Sequence, residues 1–260
     1  MAFHLRKWYM DCVAPDGATF IGYSARLSWG LLKFSYASSF SSPPKGESDE
    51  RRITGRHGGP VLRDDRVRWE CPKLGLEAVW HRTSPPIERV LLDTPKGAVT
   101  WRCHVPRGQA EIQVPGFGSW VGTGYVEEME MRVPPWELPL DQLRWGRFLS
   151  PEESVTWLEW KGPHPLCLVY QDGAPMDRAW VEDDVVGWDG TKRLDLGRVR
   201  VLREGELGVT TLPHVPFADK LLPKQLSGVH ETKWLSKGTL TAPEARMATG
   251  WAVHERVQWR

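Results

Sequence analysis

Residues 122–133 read GTGYVEEMEMRV. Side chains of an extended strand alternate between its two faces. Tyr125, Glu127, Met129, Met131 and Val133 therefore share one side, and Val126, Glu128, Glu130 and Arg132 take the other. The second row is one that water accepts. The first is an apolar row with a single carboxylate in it, and both the fold and the chemistry depend on where that row points.

The end of the chain repeats the pattern. In GWAVHERVQW, residues 250–259, one side carries Trp251, Val253, Glu255, Val257 and Trp259, and the other Ala252, His254, Arg256 and Gln258. A carboxyl group removed from water loses part of the solvation that favours its charged form, so an unpaired Glu127 or Glu255 in such a row is expected to have a raised pKa. A carboxylic acid kept neutral near pH 7 can donate a proton where water does not interfere. The competing reading is structural: the row lies outside a barrel, or the acid pairs with Arg144, Arg147 or Arg256 as a buried bridge.

Strand signals dominate on both sides of these segments. HLRKWYMDCV, the turn APDG and ATFIGYSARLSW read as a hairpin. Short extended runs follow, among them RVRWECPKLGLEAVWH, AVTWRCHVP, SVTWLEWKG, LGRVRVLR and LGVTTLP, divided by Pro and Gly at the close spacing of barrels and sandwiches. Only PLDQLRWG leaves room for a turn of helix. Residues 41–65 hold Ser, Pro, Gly and charge without periodicity, which predicts an exposed loop, either a lid or slack. Two echoes lie about half a chain apart, LSWG from Leu27 against LRWG from Leu143, and TGY from Thr123 against TGW from Thr249. With the Pro-rich VPPWELP at the midpoint as a joint, the expectation is an all-β chain of two tandem antiparallel β-barrels, residues 1–134 and 135–260.

Composition narrows the function classes. With 34 Lys and Arg against 33 Asp and Glu, the net charge of +1 supplies no field for a polyanion, so nucleic acid is not an expected partner. No apolar run is long enough to span a bilayer, and the first residues lack the apolar core of a secretion signal. Cys12, Cys71, Cys103 and Cys167 stand apart, which fits a reduced, cytoplasmic chain and no zinc site. The histidines never fall at the i, i+2 or i, i+4 spacing that preorganises a metal, and neither GxSxG nor a Walker lysine motif occurs. The glycines of PGFGSWVGTG read as turn and bulge glycines, since no helix opens after them. The 15 Trp are several times the ordinary share; such rings either fill a wide core or line a pocket for an apolar ligand.

The central segment, with Gly-x-Gly-Tyr-x-Glu from Gly122, Trp-Gly-Arg at Trp145 to Arg147 and Trp-x-x-Trp at Trp157 to Trp160, resembles the lipocalin-like proteins grouped with carotenoid 1,2-hydratase (hydroxyneurosporene synthase) and AttH. The opening KWYMDCVAPDG and the closing GWAVHERVQW are similar to that family less specifically. The resemblance implies two lipocalin-like barrels, and relatives that hydrate or cyclise isoprenoid chains or cyclise polyketide-derived substrates. No position matches the hydratases' catalytic aspartate by motif, and this chain is shorter than those enzymes usually are. The expected function is acid-promoted cyclisation, hydration or isomerisation of an apolar small molecule, with no cofactor or metal. Glu127, Glu255 and Tyr125 are the candidate catalytic residues, and Trp29, Trp145, Arg147 and Trp251 the candidate substrate-binding residues. The alternative is a lipocalin-like carrier of a lipid or pigment. Substrate and oligomeric state are left open.

Overall fold

The turn APDG works because Gly17 takes a left-handed φ of 88° and Asp16 Oδ1 accepts the amide of Ala18 at 3.0 Å. The hairpin around it pairs β1 (Phe3–Val13) with β2 (Thr19–Trp29) in unbroken register. The computed structural model of the protein describes residues 2–210, 228–243 and 247–259. In it the chain divides into two units, Met1–Glu137 and Leu138–Arg260.

In the first unit follow β3 (Leu32–Ser42), β4 (Asp49–Thr54), β5 (Val61–Arg63), β6 (Arg66–Cys71), β7 (Leu76–Arg82), β8 (Ile87–Thr94), β9 (Gly97–Val114) and β10 (Gly118–Met131). The second unit holds β11 (Gln142–Leu149), β12 (Ser154–Lys161), β13 (Leu166–Gln171), β14 (Ala174–Pro175), β15 (Trp180–Val181), β16 (Val185–Trp188), β17 (Lys192–Glu206), β18 (His230–Thr241) and β19 (Ala248–Gln258). The first sheet runs β4-β3-β2-β1-β10-β9-β7-β6-β5, with β8 paired to β9, and the second β14-β13-β12-β11-β19-β18-β17-β16-β15. These nine positions correspond one to one, and every pairing is antiparallel. The architecture is the expected all-β one, two tandem lipocalin-like barrels.

The echoes fare differently. TGY and TGW lie on β10 and β19, which hold the same place in the two sheets, whereas LSWG lies on β2 and LRWG on β11, which do not. A structural equivalence is carried by Gly122 and Gly250. A Cβ at Gly122 would stand 2.3 Å from the Val13 carbonyl oxygen, and one at Gly250 2.2 Å from that of Leu149, the last residues of β1 and β11. Gly122→Ala and Gly250→Ala are each expected to cost about 1–3 kcal/mol in denaturant unfolding, the usual cost of overpacking. An unchanged midpoint would show that the strands can shift apart there.

Three expectations are corrected. The loop of residues 41–65 contains β4 and β5, and the segment between them is tied down: Trp69 Nε1 donates to Gly58 O at 2.9 Å and Lys73 Nζ to Arg56 O at 3.0 Å. Helical turns occur at Pro135–Glu137, ahead of PLDQLRWG, and at α1 (Leu207–Thr210); α1 occupies the start of LGVTTLP, whose residues 211–213 lie outside the described residues. Among the described residues no helix is long and apolar enough to cross a membrane. The third correction concerns which row faces inward.

In the first sheet the core gathers Trp8, Met10, Cys12, Phe20, Trp69, Trp80 and Val126. β1 and β10 pair without interruption from Leu5↔Met131 to Val13↔Thr123, so the even-numbered side of β10 faces this core. Glu128, read as solvent-facing, is 2% exposed. Arg6 donates to it through Nε and Nη2 at 2.5 and 2.8 Å, and His104 Nε2 lies 3.2 Å from Oε2, its ring stacked on Trp8 with centroids 4.9 Å apart. Burial alone would push this carboxyl up; the hydrogen bonds from His104 and Arg6, with their charge, outweigh it and hold the pKa at about 2.

The second sheet does the same. Its core contains Phe148, Trp157, Trp188, Leu194 and Ala252. His254, also read as outward, is buried, with Nε2 2.8 Å from Ser236 Oγ and its ring stacked on Trp234. Burial, reinforced by Arg198, lowers its pKa to about 3, so the imidazole is neutral at pH 7. Beside it Arg144 bridges Glu159 and Asp183 at 2.7 and 2.8 Å, and Arg256 reaches Asp183 at 2.5 Å. Alternation finds the two rows. It does not say which is inner when mutual pairing lets the polar row be buried. The indoles answer the composition question mainly as filler: Trp69, Trp80, Trp101, Trp157 and Trp188 are all fully buried.

Candidate functional site

The odd-numbered face of the first sheet is the other side of the same strands, and it too is buried. Cross-strand register places Tyr23 (β2), Tyr9 (β1), Glu127 (β10) and Cys103 (β9) in one row, with Asp11 opposite Tyr125 in the next. Same-face residues in adjacent strands stand close enough for side chains to meet. Tyr9 is 3% exposed, and Asp11, Tyr125, Trp101 and Cys103 are 0% exposed.

Two donors converge on Glu127. Tyr125 Oη donates to Oε2 at 2.7 Å and Trp101 Nε1 donates to the same oxygen at 2.6 Å. Beside them Tyr9 Oη donates to Asp11 Oδ2 at 2.9 Å, and the Tyr9 ring lies 5.4 Å from that of Tyr23 and 6.2 Å from that of Tyr125. Burial, with the neighbouring Cys103 and Glu127, pushes the Tyr125 phenol well above its usual pKa, and burial does the same to the Cys103 thiol. Both groups therefore keep their protons at neutral pH. The result is a carboxylate oxygen held by an O–H and an N–H, next to a second carboxylate, under three tyrosine rings.

The other candidate residues take different places. Glu255 accepts a bond from Lys233 Nζ, a cation 2% exposed that also lies 5.3 Å from the centre of the Trp145 ring. Lys233, cross-strand on β18, is a cation it pairs with, and one not among the arginines weighed from sequence. Arg147, fully buried, donates through Nη1 to the Trp251 carbonyl at 2.8 Å, and Lys237 lies over the Trp251 ring. Trp29 packs at the end of β2 against Trp136, with ring centroids 5.3 Å apart. Tyr125 and Glu127 are brought together. Trp145 and Glu255 meet at Lys233, and Trp29 belongs to a separate aromatic contact.

Trp101, Tyr9, Asp11 and Lys233 were not among the sequence candidates. Period-two reading of KWYMDCV and AVTWRCHVP does place Tyr9 with Asp11 and Trp101 with Cys103 on shared faces. Only the strand order, which puts β1 and β9 on either side of β10, shows that both faces meet at Glu127.

Neither a family profile nor a curated protein sequence matches the chain. Solved structures do match its fold. CghA, crystallised with Sch210972, superposes with a TM-score of 0.58 at 12% identity, over 98% of this chain and 88% of CghA. Kievitone hydratase from Nectria haematococca gives a TM-score of 0.56 at 9% identity, over 98% and 88% of the two chains. An AttH-like protein from Nitrosomonas europaea gives 0.57 at 12%, over 98% and 92%. At these identities the likeness is one of fold, and it extends over nearly all of this chain: the protein has the architecture shared by CghA, kievitone hydratase and the AttH-like protein.

Proposed function

We propose that the protein is an enzyme of the hydratase and cyclase type, which takes an apolar small molecule of isoprenoid or polyketide-like character and promotes its hydration, cyclisation or isomerisation by proton transfer from Glu127. The observation that carries this reading is the convergence of the Tyr125 and Trp101 donors on one oxygen of a carboxyl group set among buried aromatic rings. That a hydratase shares the fold supports the same direction.

In the acid form Glu127 gives its proton to a substrate double bond, whose π pair forms the new C–H bond. The negative charge left on the carboxylate is stabilised at Oε2 by the two donors, which are in place before the reaction and need no reorganisation. The cation on the substrate carbon lies near the faces of Tyr9, Tyr23 and Tyr125, and aromatic faces attract cations. Capture by water, with the excess proton returning to the Glu127 carboxylate, gives hydration; attack by a second double bond of the same molecule closes a ring and leaves a new cation, which loses a neighbouring proton to that carboxylate; and direct return of a neighbouring proton to Glu127 gives isomerisation. Glu255, held by Lys233, serves as a charge partner in this scheme.

Incubation with a panel of polyprenyl and polyene substrates, followed by chromatography and mass spectrometry, tests the reading. The expected result is a product heavier by one water, or one of equal mass and altered retention. Ligands that bind and return unchanged throughout the panel would establish the carrier instead.

A further inference from the structure

At the polar end of the first sheet's inner face lies a cavity of about 360 Å³, lined by Arg6, Trp8, Ser24, Arg26 and the segment Gly58–Val61. Small-molecule sites occupy roughly 300–1,000 Å³. Its walls carry two arginines and no acidic side chain. The two are cross-strand partners, Arg6 on β1 and Arg26 on β2, but their charges are spent differently. Arg6 is neutralised by bidentate pairing with buried Glu128. Arg26 has no ion-pair partner among the described residues.

Ser24 and the backbone segment beside Arg26 are held in place, while Arg26 itself is exposed at the mouth of the cavity. A Cβ at Gly59 would lie 3.5 Å from Arg26 Nη2 and 3.7 Å from Ser24 Oγ, so the backbone of the segment between β4 and β5 passes close over both. His57 fixes that segment from beneath. Its Nδ1 lies 3.0 Å from the Gly55 carbonyl, which can only accept, so Nδ1 carries the proton and Nε2, 3.2 Å from Ser24 Oγ, accepts the serine hydroxyl. His57 is 9% exposed and Ser24 3% exposed, so this polar floor is built into the fold. Trp8, Pro60 and Val61 supply the apolar wall.

We propose that this cavity is a binding site for a small organic carboxylate with a flat apolar body, the carboxylate held by Arg26 and the body set against Trp8, Pro60 and Val61. A concave wall with one surplus positive charge concentrates anions, and a guanidinium is the donor best matched to a carboxylate. The site lies on the opposite face of the sheet from Glu127 and is independent of the proposed reaction.

Calorimetric titration of the full chain with 2-naphthoate, and with 2-naphthamide as its neutral counterpart, provides the test. Naphthoate is expected to bind at least about tenfold more tightly than naphthamide, as one charge-assisted hydrogen-bonded pair implies, and more weakly as salt rises. Arg26→Gln is expected to abolish that preference. Val61→Glu, at a half-exposed position on the rim where folding is not at stake, is expected to weaken naphthoate more than naphthamide, since both probes lose an apolar contact and only the anion meets the added negative charge. Equal affinity for the two probes in the wild type, or naphthoate binding unaltered in both variants, would overturn the proposal.

Discussion

Replacing Glu127 by Gln is expected to lower kcat by about 10²–10⁴-fold, the range general acid–base catalysis supplies, with KM little changed. The amide is nearly isosteric, and its carbonyl oxygen can still accept from Tyr125 and Trp101, so the side chain stays in its place. What it lacks is a proton to give. A loss confined to kcat is the signature of an interaction made only in the transition state. Tyr125→Phe removes one of the two donors that stabilise the departing charge and is expected to cost about 10- to 100-fold, the worth of one hydrogen bond to a charged group. Glu255→Gln is expected to leave the chemical step intact, since its carboxylate is held by Lys233 on another strand pair. Unfolding midpoints of Glu127→Gln and the wild type that agree, together with turnover that also agrees, would remove the assigned role.

The largest expected effect on stability belongs to the neighbouring residue on the opposite face. Glu128 has its pKa lowered from an ordinary 4.5 to about 2 in the folded chain. A depressed folded-state pKa contributes stability that is fully present above about 4.5 and is lost as pH falls towards 2, because the unfolded chain takes up the proton first. A shift of this size corresponds to about 3 kcal/mol. Glu128→Ala is expected to cost about as much, lowering the melting temperature of the first unit by roughly 10 °C at pH 7. It leaves Arg6 half-exposed and able to turn to water, but strips His104 of the carboxylate beneath it. The penalty should shrink at pH 3, where the wild type has itself lost part of the contribution. A pH-independent difference between variant and wild type would mean that Glu128 acts by packing alone.

The hairpin, the all-β character and the two-barrel plan were legible because turn chemistry and period-two alternation are local properties. The face of each row was not. Tyr125, Glu127 and Met131 were read as the buried row and Glu128 as the wet one, yet β10 is buried on both sides there. A carboxylate looks like a surface residue in sequence unless its partners are known, and the partners of Glu128 lie on β1 and β9, more than a hundred and about two dozen residues away. The same holds for Glu127, whose own strand supplies Tyr125 while Trp101 comes from β9. For Glu255 the cation found is Lys233, which only the pairing of β18 with β19 brings opposite. Residues 41–65 misled for another reason. Ser, Pro and charge there look like slack, but β4 pairs β3 at a sheet edge, where polar side chains are tolerated and even favoured.

Turnover of a substrate from the polyprenyl and polyene panel in D₂O tests the role of Glu127 most directly. The carboxyl proton exchanges with solvent, so hydration, cyclisation and isomerisation begun by Glu127 should each leave one deuterium bound to carbon in the product, and Glu127→Gln should yield no such product. A product formed without carbon-bound deuterium, or the same labelled product formed equally fast by the variant, would contradict it.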